Sequence, residues 1–439
     1  VPYPPERRPV RSVLRARLLA GVATAAAAVS VAVPATALAQ GSVPAPPVGS
    51  VDTGSLGSAG SLGSAGPRGD TLPPPLEAGP AVEVEVVLDG LTIPWDVVRD
   101  PDGVVVTGER GTGGIVAARP DGTRSDVEAD LGRLFNGGES GLMGIALAHD
   151  FATSREVYTC HSVNFPAPEP DGTIGDSRVT AWRAADDWSR LYEIDVIVPG
   201  IARQDIGHHS GCRVLAHPDG TLYIGTGDTF HGSVPQDMRS LGGKVLHVKR
   251  DGTPADDTIR EQGTDPRILT YGHRNLQGLA LQPGTDRIYS AEHGTLVDDE
   301  INLILPGKNY GWDPLRAGIP RDHDDASPMT DLEKFPDAME AVWSSGDPTW
   351  ATSGITFLDH PSWGEWNGAL AVAMLKSKRI ALMRLSDDGL AVTDTVEILA
   401  DEHGRIRSLT SEPDGTLLAT TSNGNGQDKV LRIRPAVGE

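Results

Sequence analysis

The sequence predicts an all-β protein, a six-bladed β-propeller. Two observations carry the prediction. First, 52 glycines and 34 prolines with few aromatic residues favour many turns and short strands over long helices. Second, one unit recurs six times: a short apolar strand, a turn, and a second apolar strand ending in glycine or polar residues. The turns begin near residues 101, 149, 218, 283, 359 and 413. Hairpins at about blade length suit four-stranded blades around a channel, and their uneven spacing leaves room for long loops. A β-sandwich with irregular insertions is the alternative, and the repeated turn signature speaks against it.

The chain of 439 residues opens on Arg7, Arg8, Arg11, Arg15 and Arg17, then an apolar run over 18–33 and Ala37-Leu38-Ala39. That order predicts a signal peptide over 1–39, cut before Gln40, and hence export. The run is shorter than the roughly 20 residues a membrane span needs, so no stable membrane insertion is expected. Residues 40–80 are mostly Gly, Ser, Pro and Ala, which cannot bury a core, and read as a flexible linker. The folded domain is expected over 81–439, from the alternation of Val82, Val84 and Val86 with Glu83 and Glu85.

The hairpins then follow. Val97-Val98 turns at Pro101-Asp102-Gly103, and Ile145-Ala146-Leu147 turns through His149-Asp150-Phe151. Val214-Leu215 turns at Pro218-Asp219-Gly220, and Leu279-Ala280-Leu281 at Pro283-Gly284. Ile355-Thr356-Phe357 turns through 359–368, and the strand from Ile406 turns at Pro413-Asp414-Gly415. Asp and Gly supply the turn conformation.

Charge and cysteine content narrow the function. With 38 Lys and Arg against 60 Asp and Glu, a net charge of -22 makes nucleic acid an unsuitable partner. Cys160 and Cys212 allow one disulfide in an exported protein, or two buried thiols.

Polar residues gather where the hairpins begin or end. Glu139 precedes the second; His209 opens the third and Asp228 closes it. Arg274 and Asn275 open the fourth, Lys376 ends the fifth, and Arg405 and Arg407 open the sixth. Equivalent strand ends converge on a propeller axis, so these residues are expected to line one cavity. Cations gathered there are costly without an anionic partner. A small, multiply anionic ligand held by guanidinium groups is the simplest account. His209 beside Asp228 is a general-base arrangement, the acid fixing the tautomer and orientation of the ring.

Three further stretches complete the pattern: Tyr271-Gly272-His273-Arg274-Asn275-Leu276-Gln277-Gly278, Asp299-Glu300-Ile301-Asn302-Leu303-Ile304, and Asn309-Tyr310-Gly311-Trp312. From about residue 85 onward the chain resembles the soluble PQQ-dependent sugar dehydrogenases (PQQ is pyrroloquinoline quinone), a family of six-bladed propellers. The resemblance implies oxidation of an aldose or related polyhydroxy compound to its lactone, with hydride passing to the quinone and onward to an external electron acceptor. By motif, His209 matches the general base, Asp228 its partner, and Arg274 the cation beside the reacting carbonyl. Glu139, Asn275, Thr349, Lys376, Arg405 and Arg407 match cofactor-binding positions. The carbonyls of Gly294 and Thr295 match ligands of a calcium that also grips the quinone. Glu300 and Tyr310 match part of a second, structural calcium site, with Asp298 and Asp299 either its neighbours or solvated acids.

The chain departs from the family pattern in places. His208 stands where glucose-oxidising members have an acid, Glu139 where they have an amide, and Thr295 where they have a proline. The first two bear on which sugar is taken. A calcium-dependent lactonase-type propeller would instead need a metal held by side-chain carboxylates at the axis. A non-catalytic ligand-binding propeller would not need His209 or Arg274.

Overall fold

The computed structural model describes residues 73–315 and 323–436. The expected signal peptide and most of the expected linker lie outside the described residues. Six sheets form; five contain four consecutive strands in sequence order, one of them with a fifth strand added, and the sixth joins three consecutive strands to one from the other end of the propeller. Blade one spans 94–127, blade two 142–201, blade three 211–271, blade four 276–344 and blade five 352–398. Blade six takes Ile406–Ser411, Leu417–Thr421 and Asp428–Pro435, and its outermost strand is Val82–Leu91 from the other end of the chain. That last pairing is antiparallel, with Val82 opposite Pro435 and Leu91 opposite Asp428. The first strands of neighbouring blades pack in a closed ring, blade six against blade one included.

Ordered packing starts a little before Val82. Glu77–Ala78 pairs in parallel with Val392–Ile398 at the edge of blade five. Leu76 packs against the core between blades four and five, and its backbone N–H donates to Glu397 Oε2 at 3.1 Å. A single leucine after Pro73-Pro74-Pro75 is enough apolar surface to hold the chain to an open sheet edge.

The hydrophobic core is divided. Six apolar clusters lie one between each pair of neighbouring blades. Leu142, Ile145 and Trp182 of blade two meet Val106, Ile115 and Ala117 of blade one, for example. Alternation along each strand sends apolar side chains to both faces, because both faces are covered. The axis carries a different population. Asp96 Oδ2 pairs with Arg213 at 2.6 Å and accepts from the Ile145 N–H, while Asp96 Oδ1 accepts from Ser408 Oγ at 2.6 Å. Arg213 also donates to the Gln277 carbonyl at 2.8 Å and stacks over Trp95. This polar knot ties five of the six blades at the centre.

Each inner hairpin loses register once, always where its first strand begins. The slips fall at Trp95, 143–144, Cys212, Gln277, 353–354 and Arg407. Such a bulge bends the strand and re-aims a side chain. The strand ends that carry the predicted site residues are therefore bulged in every blade, while the opposite ends are tight turns in four blades and short helical connections, Phe151–Ser154 and Pro361–Trp366, in blades two and five.

Candidate active site

His209 and Asp228 flank the inner hairpin of blade three. The strand Gly211–Ala216 follows the histidine and Leu222–Thr226 precedes the aspartate, with Gly211 paired to Thr226. The two side chains meet as expected: His209 Nδ1 lies 2.7 Å from Asp228 Oδ1, and both residues are buried. A carboxylate accepts only, so Nδ1 donates and the neutral ring keeps Nε2 as its basic atom. His209 has a φ of +46°, and Thr229 and Phe230 just after Asp228 have +57° and +56°. Left-handed backbone is costly for a threonine or phenylalanine, and it clusters here. Gly227 must be glycine, because a Cβ there would sit 1.9 Å from the His209 carbonyl oxygen.

Asp228 is saturated with donors. Its Oδ1 also accepts from the Phe230 N–H at 2.8 Å. Its Oδ2 accepts from Trp312 Nε1 at 2.7 Å and from His323 Nε2 at 3.0 Å. Burial works against its charge, yet His209 and His323 hold its carboxyl well below the usual range. His209, Asp228 and His323 bring their ligand atoms within 4.8 Å of one another. Trp312 and Phe230 already occupy lone pairs of Asp228, so the group is a hydrogen-bonded relay rather than a metal centre. Below it, buried Lys244 donates to the carbonyls of Val234, Pro235 and Gly242, pinning the loop that follows Asp228.

The cations converge beside this pair. Arg274 is buried, and its Nη1 donates to the His293 carbonyl at 3.0 Å while its backbone N–H donates to Glu292 Oε2. Arg407 is buried, with Nη1 donating to Gln277 Oε1 at 3.0 Å. Burial, with the Arg110 guanidinium next to it, pushes Arg407 down to about 9. Arg405 is exposed at the rim, within electrostatic reach of Arg407. Lys376 is half-buried after the strand Leu370–Met374, and buried Thr349 lies on the loop before blade five. Asn275 Nδ2 donates to Glu139 Oε2 at 3.0 Å, and Asn275 Oδ1 accepts from Gln277 Nε2 and the Gly211 N–H. Glu139 is held below the usual carboxylate range, against its burial, by His209 and His293.

Among the described residues, several of these groups have no partner: Nε of Arg110, Arg274 and Arg407, and Nε2 of His293 are buried and unpartnered. Buried N–H groups on cations are seldom left so. A ligand with several carboxylates or carbonyl oxygens fits this donor set, as PQQ would.

For the calcium expectations, the observations are these. Gly294 is buried and Thr295 half-buried on the turn after Ile288–Glu292. Asp299 is not a solvated acid. It is buried and accepts from the N–H groups of Gly294 at 2.9 Å, Trp350 at 2.6 Å and Ala351 at 2.5 Å. It therefore braces the Gly294 turn to the Thr349 loop. Asp298, with φ of +59°, accepts from Ser344 Oγ at the rim. Glu300 faces Glu292 across paired strands, and burial with the Glu292 charge pushes it up to about 8. The Asn302 Oδ1 beside them is buried and unpartnered. Two crowded carboxylates and an orphaned oxygen suit a hard cation. The Tyr310 hydroxyl donates to the Leu303 carbonyl at 2.5 Å and accepts from the Leu305 N–H at 3.0 Å, which leaves the backbone carbonyl as the Tyr310 oxygen to join such a set.

Sequence reasoning missed three residues of the cavity. Arg110, His293 and His323 carry no local motif of their own. Cys212 pairs with Cys160, which settles the alternatives left open by the sequence: the disulfide ties blade two to blade three next to His209, with a Cα–Cα distance of 5.5 Å.

Comparison with known proteins gives a consistent set. The family model for glucose and sorbosone dehydrogenases matches residues 91–432. The aldose sugar dehydrogenase YliI of Escherichia coli is 31% identical over 377 residues, covering 82% of this chain and 95% of that protein. The quinoprotein glucose dehydrogenase B of Acinetobacter calcoaceticus is 29% identical over 263 residues, covering 54% of this chain and 53% of that protein. Among solved structures, the PQQ-bound aldose sugar dehydrogenase of Streptomyces coelicolor superposes with a TM-score of 0.62 at 28% identity, covering 81% of this chain and 99% of that one.

Proposed function

Because the chain belongs to the glucose and sorbosone dehydrogenase family, we propose that it is an exported, calcium- and PQQ-dependent dehydrogenase that oxidises an aldose to its lactone. The observation that carries the reading is the buried His209–Asp228 pair set beside unpartnered guanidinium N–H groups at one mouth of the axis. His209 Nε2 takes the proton of the anomeric hydroxyl, and Asp228 holds the ring in the tautomer that leaves Nε2 free. When bound, PQQ supplies the acceptor for the hydride leaving the anomeric carbon. Arg274 would answer the negative charge that the acceptor gains with the hydride, a task suited to a preorganised cation away from water. Arg407, Arg405, Lys376 and Arg110 would answer the carboxylates of the cofactor, and Asn275 and Thr349 would orient it. The carbonyls of Gly294 and Thr295 would hold the calcium that grips it, and Glu300, Asn302 and the Tyr310 carbonyl a second ion.

Glu139 and His208 are the residues we assign to the choice of sugar. His208 is exposed, with its ring 5.8 Å from Phe230, at the open side of the base. The test is reconstitution. The chain from residue 73 is given PQQ and calcium, and reduction of a redox dye is followed against a panel of aldoses. Reduction that needs both additions, with a lactone as product, is the expected result. Absence of quinone binding would overturn the reading.

A further inference from the structure

We propose that His323 is a positioning residue for the base: its imidazolium, clasped between Asp228 and Asp325, occupies one oxygen of Asp228 and leaves the other committed to His209. The inference rests on His209 acting as the base, as set out above. Both ring nitrogens of His323 face carboxylates, Nε2 at 3.0 Å from Asp228 Oδ2 and Nδ1 at 3.2 Å from Asp325 Oδ1. Nε2 is hydrogen-bonded to Asp228, while Nδ1 lies in ion-pair range of Asp325 without hydrogen-bond geometry; the two carboxylates together favour the charged ring. The ring is wedged in place, stacked on Phe230 with centroids 4.2 Å apart and tilted against Trp312 at 5.5 Å. Its side chain is 1% exposed. Burial disfavours a charged ring, and Asp228 and Asp325 overcome it, pushing His323 up to about 9.

The clasp joins two parts of the site. Asp325 lies 3.7 Å from Arg274 Nη2, so an alternating line of charge runs Asp228, His323, Asp325, Arg274, with the His209 ring at its Asp228 end. The charged groups facing His323 are thus Asp228, Asp325 and, edge-on with centroids 5.5 Å apart, His209. The electrostatic consequence follows from the order of signs. With His323 charged, the Asp228 carboxylate is shared between two rings. Without that charge, His209 is the one ring whose protonation the Asp228 carboxylate favours, and no neighbouring imidazolium cation opposes it, so the base is blocked over a wider range of pH.

The test is His323→Gln, which keeps a donor for Asp228 and removes the charge. In the reconstituted enzyme the acid limb of the kcat profile is expected to move up by about one pH unit. The rate at pH 6 falls about tenfold, while the alkaline plateau stays within about twofold. Asp325→Asn moves the limb the same way by less. A lowered plateau with an unmoved limb would mean a merely structural role and overturn the proposal. A second readout does not need turnover: the His209 imidazole is titrated by proton–nitrogen NMR in the wild type and both variants. Upward movement of that titration supports the clasp even if no aldose is oxidised, a result that would sink the dehydrogenase reading alone. No movement in either folded variant overturns the clasp.

Discussion

The two mouths of the axis are made by the same six strands and treat charge in opposite ways. At the mouth where the first strands begin, every blade is bulged, left-handed residues cluster, and Asp228 keeps its charge because four donors converge on it. At the other mouth the hairpins close in turns or short helices, and a depression of about 270 Å³ is lined largely by apolar residues such as Val97, Leu147, Leu215 and Leu281. A carboxylate on that rim, Glu412, is pushed up to about 7 by burial, despite Arg99 3.1 Å away. The strands fix where the ends lie; the loops and bulges at one end decide that charge can live there.

The largest break in this contrast should come from the base. His209→Ala is expected to lower kcat about 10³-fold while quinone binding, read by fluorescence quenching or calorimetry, stays near wild type. Retained turnover would remove His209 from the mechanism. Next comes the knot between the mouths. Asp96→Ala leaves Arg213 buried without its partner and should cost about 3–5 kcal/mol of stability in denaturant unfolding.

The two mouths should also answer pH with opposite sign. The Glu412 pKa is raised on folding, so its contribution is present below the unfolded value near 4.5 and is lost as pH rises through about 7. Glu412→Gln should therefore recover up to about 3 kcal/mol of stability at pH 8, less what the Arg99 pair supplies, and leave kcat unchanged. Asp228 has its pKa lowered, so its contribution is present at neutral pH and is lost on acidification. The smallest effect is expected from Leu281→Ala on the turn-side rim. It trims packing between blades three and four by about 1–2 kcal/mol, with kcat within about twofold. A large loss of turnover there would mean that the two mouths are not independent.

Much of this was legible in the sequence because a hairpin fixes its own register. Pro218-Asp219-Gly220 sets a turn, and the turn places the residue before one strand beside the residue after the other, so His209 and Asp228 could be paired without coordinates. The same logic gathered Arg274, Arg407 and Lys376 at one mouth. It fails in long connections. His323 sits in the stretch between Trp312 and Thr349, where no period ties a residue to the axis. Arg110 follows a strand as an ordinary rim cation would. The bulges are invisible too, since one extra residue leaves the alternation of a five- or six-residue strand almost unchanged. Asp299 looked like one acid among three; only the arrival of the Trp350 and Ala351 N–H groups from 51 and 52 residues away made it a brace.

The strand Val82–Leu91 that completes blade six has a consequence for how the protein is made. The sixth sheet is completed by Val82–Leu91 and Asp428–Pro435 lying side by side, strands from opposite ends of the propeller. A chain stopped before Asp428 would hold every residue of the site from Glu139 to Arg407, but blade six would lack both of its outer strands, because Val82–Leu91 joins the sheet through Asp428–Pro435. During synthesis the blade that opens on Arg405 and Arg407 is therefore the last to be completed, although its inner strands Ile406–Ser411 and Leu417–Thr421 already have blade one to pack against.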